Sequence, residues 1–216
     1  MGSGRGKTRR ARNIFSLRKL SYKDEVSKDG RFVVRRDGKN GREEHLMDGL
    51  LHRVDGPAVI TSDGTRKWYR KGELHRDDGP AVEFRNGTKQ WWMNNLLHRV
   101  GGPAVTYENS RKEWWVDGLQ HRVDGPAVTY DDGRNEWWVN GVKHRVGGPA
   151  IVHADGSLEW WVDGVLHRED GPALELNGVD AEWWLNGEKL DQVTVEAIWR
   201  SFHLAEMHGT PAKVTF

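Results

Sequence analysis

Six histidines recur at a spacing of 23 residues, His52, His75, His98, His121, His144 and His167, each followed by an arginine and, five residues on, by a proline. Imidazole can ligate a metal or shuttle a proton, and a guanidinium can hold an anion. The spacing argues against a shared ion. If each unit supplies two strands, equivalent side chains lie about 10 Å apart, whereas zinc ligands sit about 2 Å from their metal. No nucleophile, base and orienting acid recur together, and no glycine-rich loop precedes a helix. The residues therefore predict no enzyme, no cofactor and no metal site. The histidines and arginines are expected to bond the connector backbone or cover neighbouring aromatics, the arginines by cation–π contact.

Two other sets of residues invite a functional reading. Tyr69, Trp92, Trp115, Trp138, Trp161 and Trp184 form the second of two aromatic columns in the same register as the histidines. Exposed, they make a strip for docking a protein partner; covered, they are the second half of a thin core. At the N-terminus, Arg5, Lys7, Arg9, Arg10, Arg12, Arg18 and Lys19 make a basic arm with no acid before Asp24. Such an arm would contact a nucleic acid or other polyanion, touch an anionic lipid surface, or serve as a solvated tail. Only Phe15 and Tyr22 are interleaved with these charges, too few for base-stacking readout.

The elements that position these residues follow from the repeat. Residues 1–28 read as the arm, flexible or ordered by a partner; residues 29–190 as hairpin repeats, with a degenerate unit at 29–51 and six units over 52–190; residues 191–216 as a capping helix and terminal strand. In the degenerate unit His45 and Leu46 take the aromatic columns, as expected of a first unit with no neighbour on one side. The fourth unit shows the hairpin plainly: Pro126-Ala127-Val128-Thr129-Tyr130, then Asp131-Asp132-Gly133-Arg134, then Asn135-Glu136-Trp137-Trp138-Val139, then Asn140-Gly141. Asp-Gly and Asn-Gly pairs tolerate the positive φ of tight turns, and β-branched and aromatic residues alternate between them. With Asp132-Gly133 as a two-residue loop, Val128 falls opposite Trp137 and Ala127 opposite Trp138, which puts the valine column on the more buried face and Glu113, Glu136, Glu159 and Glu182 on the other. A helix is expected from about Asp191 or Thr194 to Met207, where Val195, Ile198, Trp199, Phe202 and Ala205 carry an apolar stripe, and Thr210–Phe216 resembles a further strand.

Composition agrees with a thin layer rather than a thick core: of 216 residues, 36% are hydrophobic and 30% charged, and 12 are tryptophan. Cysteine is absent, which removes disulfides and thiolate chemistry. No stretch reads as a signal peptide or a membrane span. The expectation is an intracellular, soluble chain or a component of a virion or other large assembly.

Taken together, His-x-x-x-Gly-Pro-Ala, an aromatic, Asp-Gly, Trp-Trp and Asn-Gly at this pitch resemble the MORN repeat family, over about residues 29–190. The family's glycine after the histidine is here Arg53, Arg76, Arg99, Arg122, Arg145 and Arg168, and its glycine between aromatics is lost, which looks like a divergent branch found in phage and large-virus proteins. The resemblance implies an all-β repeat, an elongated antiparallel sheet of tandem β-hairpins, and a role as a scaffold for protein partners, with lipid association in some members. Sheet edges would further allow a homo-oligomer or larger assembly.

Overall fold

The computed structural model describes residues 22–178 and 180–207. The first three strands of the described residues are β1 (Tyr22–Val26), β2 (Phe32–Asp37) and β3 (Glu43–Met47), each antiparallel to the next. Within the stretch 1–28 expected to be an arm, Tyr22–Val26 is a strand paired with β2. The basic residues Arg5 to Lys19 lie outside the described residues. His45 does occupy an aromatic column: its N–H donates to the Ala58 carbonyl at 2.7 Å, as that of Trp68 donates to Ala81 at 2.8 Å.

The fold is the expected all-β repeat, but each unit builds two hairpins rather than one. In the fourth unit Val128–Thr129 pairs with Asn135–Glu136, and Trp138–Val139 pairs with Val142–Lys143. The first hairpin joins a single antiparallel sheet of 16 strands; the second stands as a separate two-stranded ribbon. Trp137 is the junction. Its N–H donates into the sheet, to Ala150 of the next unit at 2.8 Å, while its carbonyl accepts from His144 in the ribbon at 3.2 Å.

The two turns differ, which corrects the expected register. Asn140 and Gly141 both have positive φ, 49° and 82°, the signature of a two-residue type I′ turn. At the other turn Gly133 alone is left-handed, with φ of 92°, and Tyr130 N–H bonds the Arg134 carbonyl at 2.9 Å across a three-residue loop. Val128 therefore faces Glu136, not Trp137. A slip of one residue carries every side chain of a strand to the other face, so the glutamates expected on the diluted face lie on the valine face.

Side chains in register share a face. On one face Val59, Val82, Val105, Val128 and Ile151 are at most 3% exposed, alternating with Lys67, Gln90, Glu113, Glu136 and Glu159. The opposite face carries one row across the sheet, running through Arg66, Glu83, Lys89, Thr106, Lys112, Thr129 and Asn135 to Val152 and Leu158. At about 4.8 Å per strand the sheet advances about 10 Å per unit.

The helix α1 (Gln192–Met207) follows the last unit. Asp191 caps it, its Oδ1 accepting from Thr194 N–H at 2.8 Å and its carbonyl from Val195 N–H at 3.0 Å. Ile198 is buried. The side chains of Trp199, Phe202 and Ala205, and the expected terminal strand, lie outside the described residues. No helix among the described residues is long and apolar enough to cross a membrane.

Candidate docking surface

The connector His-Arg-x-x-Gly-Pro-Ala leads from the ribbon of one unit to the sheet hairpin of the next. Its histidine joins neighbours. In all six units a backbone N–H of the ribbon turn 19 residues on, at Lys71, Asn94, Asp117, Asn140, Asp163 and Asn186, points at Nδ1 over 3.1–3.3 Å. In four units the same Nδ1 also lies 2.8–2.9 Å from the side-chain oxygen of that turn residue, Asn94, Asp117, Asn140 or Asp163, and at Asp117 and Asp163 the carboxylate can only accept, so there the two contacts call for opposite tautomers. Two more bonds complete each ribbon joint: Arg122 N–H to the Trp138 carbonyl at 3.0 Å and Gly141 N–H to the Gln120 carbonyl at 2.9 Å in the fourth unit, with counterparts along the chain. Among the described residues, no group of three or more His, Cys, Asp or Glu side chains could hold a metal.

These joints make a testable statement. Replacing His121 with leucine is expected to cost about 1 kcal/mol, the net worth of one hydrogen bond, whereas asparagine, whose Oδ1 can take the place of Nδ1, should recover most of it. Urea titrations of the two variants decide the matter; equal losses would mean that the ring matters for bulk and not for its acceptor.

The arginine beside each histidine is clamped on every side. Arg76, Arg99, Arg122, Arg145 and Arg168 place Cζ 3.9–4.2 Å from the ring centroid of the first tryptophan of the preceding unit. Each donates through Nη1 to the carbonyl of the proline four residues on, at 3.0–3.2 Å. The opposite face of the guanidinium lies against the glycine before that proline, where an added Cβ would come within 2.6–3.1 Å of Cζ. That glycine is kept for the space it leaves, since its φ is not positive. Arg53 has no tryptophan beneath it and contacts His45 Nε2 at 3.0 Å instead.

A carboxylate completes the clamp in four units. Nε of Arg53, Arg76, Arg122 and Arg168 donates to Asp55, Asp78, Asp124 and Asp170 at 2.8–2.9 Å. These hydrogen bonds hold the carboxyls of Asp55, Asp78 and Asp124 below the ordinary range. In the third and fifth units the position is Gly101 or Gly147.

The second aromatic column, proposed from sequence for partner binding, is neither core nor fully wet. Tyr69, Trp92, Trp115, Trp138, Trp161 and Trp184 are all half-buried. Their indole N–H groups are tied into the sheet: Trp115, Trp138, Trp161 and Trp184 donate to Glu113, Glu136, Glu159 and Glu182, and Trp92 to Gln90, over 2.7–3.0 Å. Lys143 Nζ stands 4.4 Å from the Trp161 ring centroid. What sequence reasoning missed is the glutamate. Glu113 and Glu136 are buried, and each also accepts from a tyrosine hydroxyl, Tyr107 or Tyr130, at 3.1 Å and from Arg111 or Arg134 at 2.6 Å. Burial, with these carboxylates adding to it, raises the pKa of both phenols. The signal was present: an acid stands two residues before the second tryptophan in four consecutive units.

No family model matches the chain, and no curated protein matches it either.

Proposed function

We propose that the chain is a non-enzymatic docking scaffold built from MORN-like repeats, presenting one repeated face to protein partners as part of a larger assembly. The observation that carries this reading is the second aromatic column. Six large rings stand in one line at a constant step, each half-open, and five have their polar edge already bonded within the chain. Indoles fixed in this way lose little conformational freedom on binding and offer apolar area to a partner, the property that makes tryptophan frequent among binding hot spots.

The test is the double variant Trp115→Ala with Trp138→Ala, compared with the native chain in affinity capture and thermal melting. Each truncation should cost about 2 kcal/mol, below the range for fully buried tryptophan because the rings are half-open. The variant should still melt cooperatively yet no longer retain the partner. Retention of the partner by the folded variant would dismiss the aromatic strip as the docking face.

A further inference from the structure

The connectors differ in a way the repeat itself interprets. In the first, second, fourth and sixth units the arginine Nε is occupied by the chain's own aspartate. In the third and fifth units Arg99 and Arg145 keep the tryptophan stack and the proline carbonyl, but glycine stands where the carboxylate would be, and among the described residues no acid pairs with either guanidinium. Gly101 and Gly147 have φ of 76° and 77°, a conformation that none of the four aspartates adopts. The two forks are thus held in place by the same clamp and left without their anion.

The surroundings say what kind of anion fits. Val100, Val123 and Val146 are each 84% exposed; two of them directly follow the open arginines and the third lies between. An apolar strip alternating with guanidinium groups suits a polypeptide with acidic and apolar side chains better than a polyphosphate. The spacing suits one too. Two units separate the forks by about 19 Å, and in an extended strand residues i and i+6 lie about 20 Å apart on the same face.

We infer that Arg99 and Arg145 are a paired carboxylate-binding site for an acidic segment of a partner protein, bound extended along the connectors with two acidic side chains six residues apart and apolar side chains over Val100, Val123 and Val146. The inference rests on the docking reading above and gives it a second, chemically distinct contact. The internal aspartates show the bond to be formed, a charge-assisted Nε–H donation at 2.8–2.9 Å.

The structure also supplies the variant. The third and fourth connectors, His-Arg-Val-Gly-Gly-Pro-Ala and His-Arg-Val-Asp-Gly-Pro-Ala, differ at one residue. Gly101→Asp with Gly147→Asp therefore installs the connector sequence of the fourth unit, and fills both forks from within once the backbone there takes the conformation of Asp124. Gly101→Asn with Gly147→Asn offers an acceptor to each fork without adding charge. The probe is a fluorescein-labelled peptide, Glu-Thr-Val-Thr-Val-Thr-Glu, whose glutamates and valines share one face of an extended strand, titrated against the full chain at low ionic strength and read by fluorescence anisotropy. A second peptide of the same length and charge has its glutamates three residues apart.

The native chain should prefer the first peptide, and both double variants, while still melting cooperatively, should bind it at least about tenfold more weakly, the loss of charge-assisted hydrogen bonds. Equal binding of the two peptides, equal binding by native and variant chains, or no binding by the native chain would overturn the site. So would a single-stranded DNA oligonucleotide that loses affinity on both variants while the peptide does not, since that assigns the forks to phosphate. If the glycine variants still retain a protein partner that the tryptophan variant releases, the fork site fails and the aromatic docking reading stands.

Discussion

Exchange of Glu136 for leucine is expected to lower the unfolding free energy by about 3 kcal/mol, the low end of the cost of breaking a buried ion pair. Glu136 is 5% exposed and accepts from three donors on the valine face, Tyr130 Oη, Trp138 Nε1 and a nitrogen of Arg134. Leucine fills similar space but accepts nothing, so two neutral donors and one cation lose their acceptor together. Arg134 keeps about a third of its side chain in water, which is why the low end applies. Its Nε is already a buried donor without a partner, so little slack remains for repacking. Glutamine should recover about half the loss, because its single carbonyl oxygen can serve some of the three. Urea unfolding followed by tryptophan fluorescence measures both; a leucine variant within about 0.5 kcal/mol of native, the usual spread for surface changes, would show that the carboxylate contributes no net stability.

The glycine before each proline gives the second large effect, one that changes sign with its neighbour. Gly125→Ala should destabilise the native chain by about 1.5 kcal/mol, in the range for overpacking. The new Cβ would stand 2.9 Å from Arg122 Cζ, and the guanidinium cannot yield without leaving the Trp114 ring, the Pro126 carbonyl and Asp124. In an Arg122→Ala background the three atoms nearest the new Cβ are gone. There it should be neutral or stabilising by about 0.5 kcal/mol, because alanine lowers the entropy of the unfolded chain wherever its native φ is ordinary. Four melting curves close the cycle. Additive effects would mean that glycine is kept for its backbone and not for the arginine.

Much of this was legible in the chain. The 23-residue period, the hairpin turns, the half-unit with His45 in the aromatic column and the helix start at Asp191 follow from residue types that have few other uses. The register did not. Asp-Gly serves both the two-residue type I′ loop and longer loops in which glycine alone is left-handed, and the choice between them moves Glu136 from the outer face to the buried one. Asn140-Gly141 obeys the shorter rule and Asp132-Gly133 the longer, a difference set by how strands meet across the sheet and not by the dipeptide. The division into sheet and ribbon was hidden for a related reason. Trp137 reads as one more strand residue, yet its N–H and carbonyl serve different partners. The clamp was half visible: arginine over tryptophan follows from composition and order, while the role of Gly101 and Gly147 appears only beside the four units that carry aspartate.

Because every connector histidine receives at Nδ1 a backbone N–H that any residue but proline provides, one module can be added or removed without redesigning the seam on either side. The molecule is a ruler graduated in marks of about 10 Å. A module gained or lost between Arg99 and Arg145 would re-space the two marks that bear an unanswered charge, and with them the length of acidic segment that can be gripped at both ends.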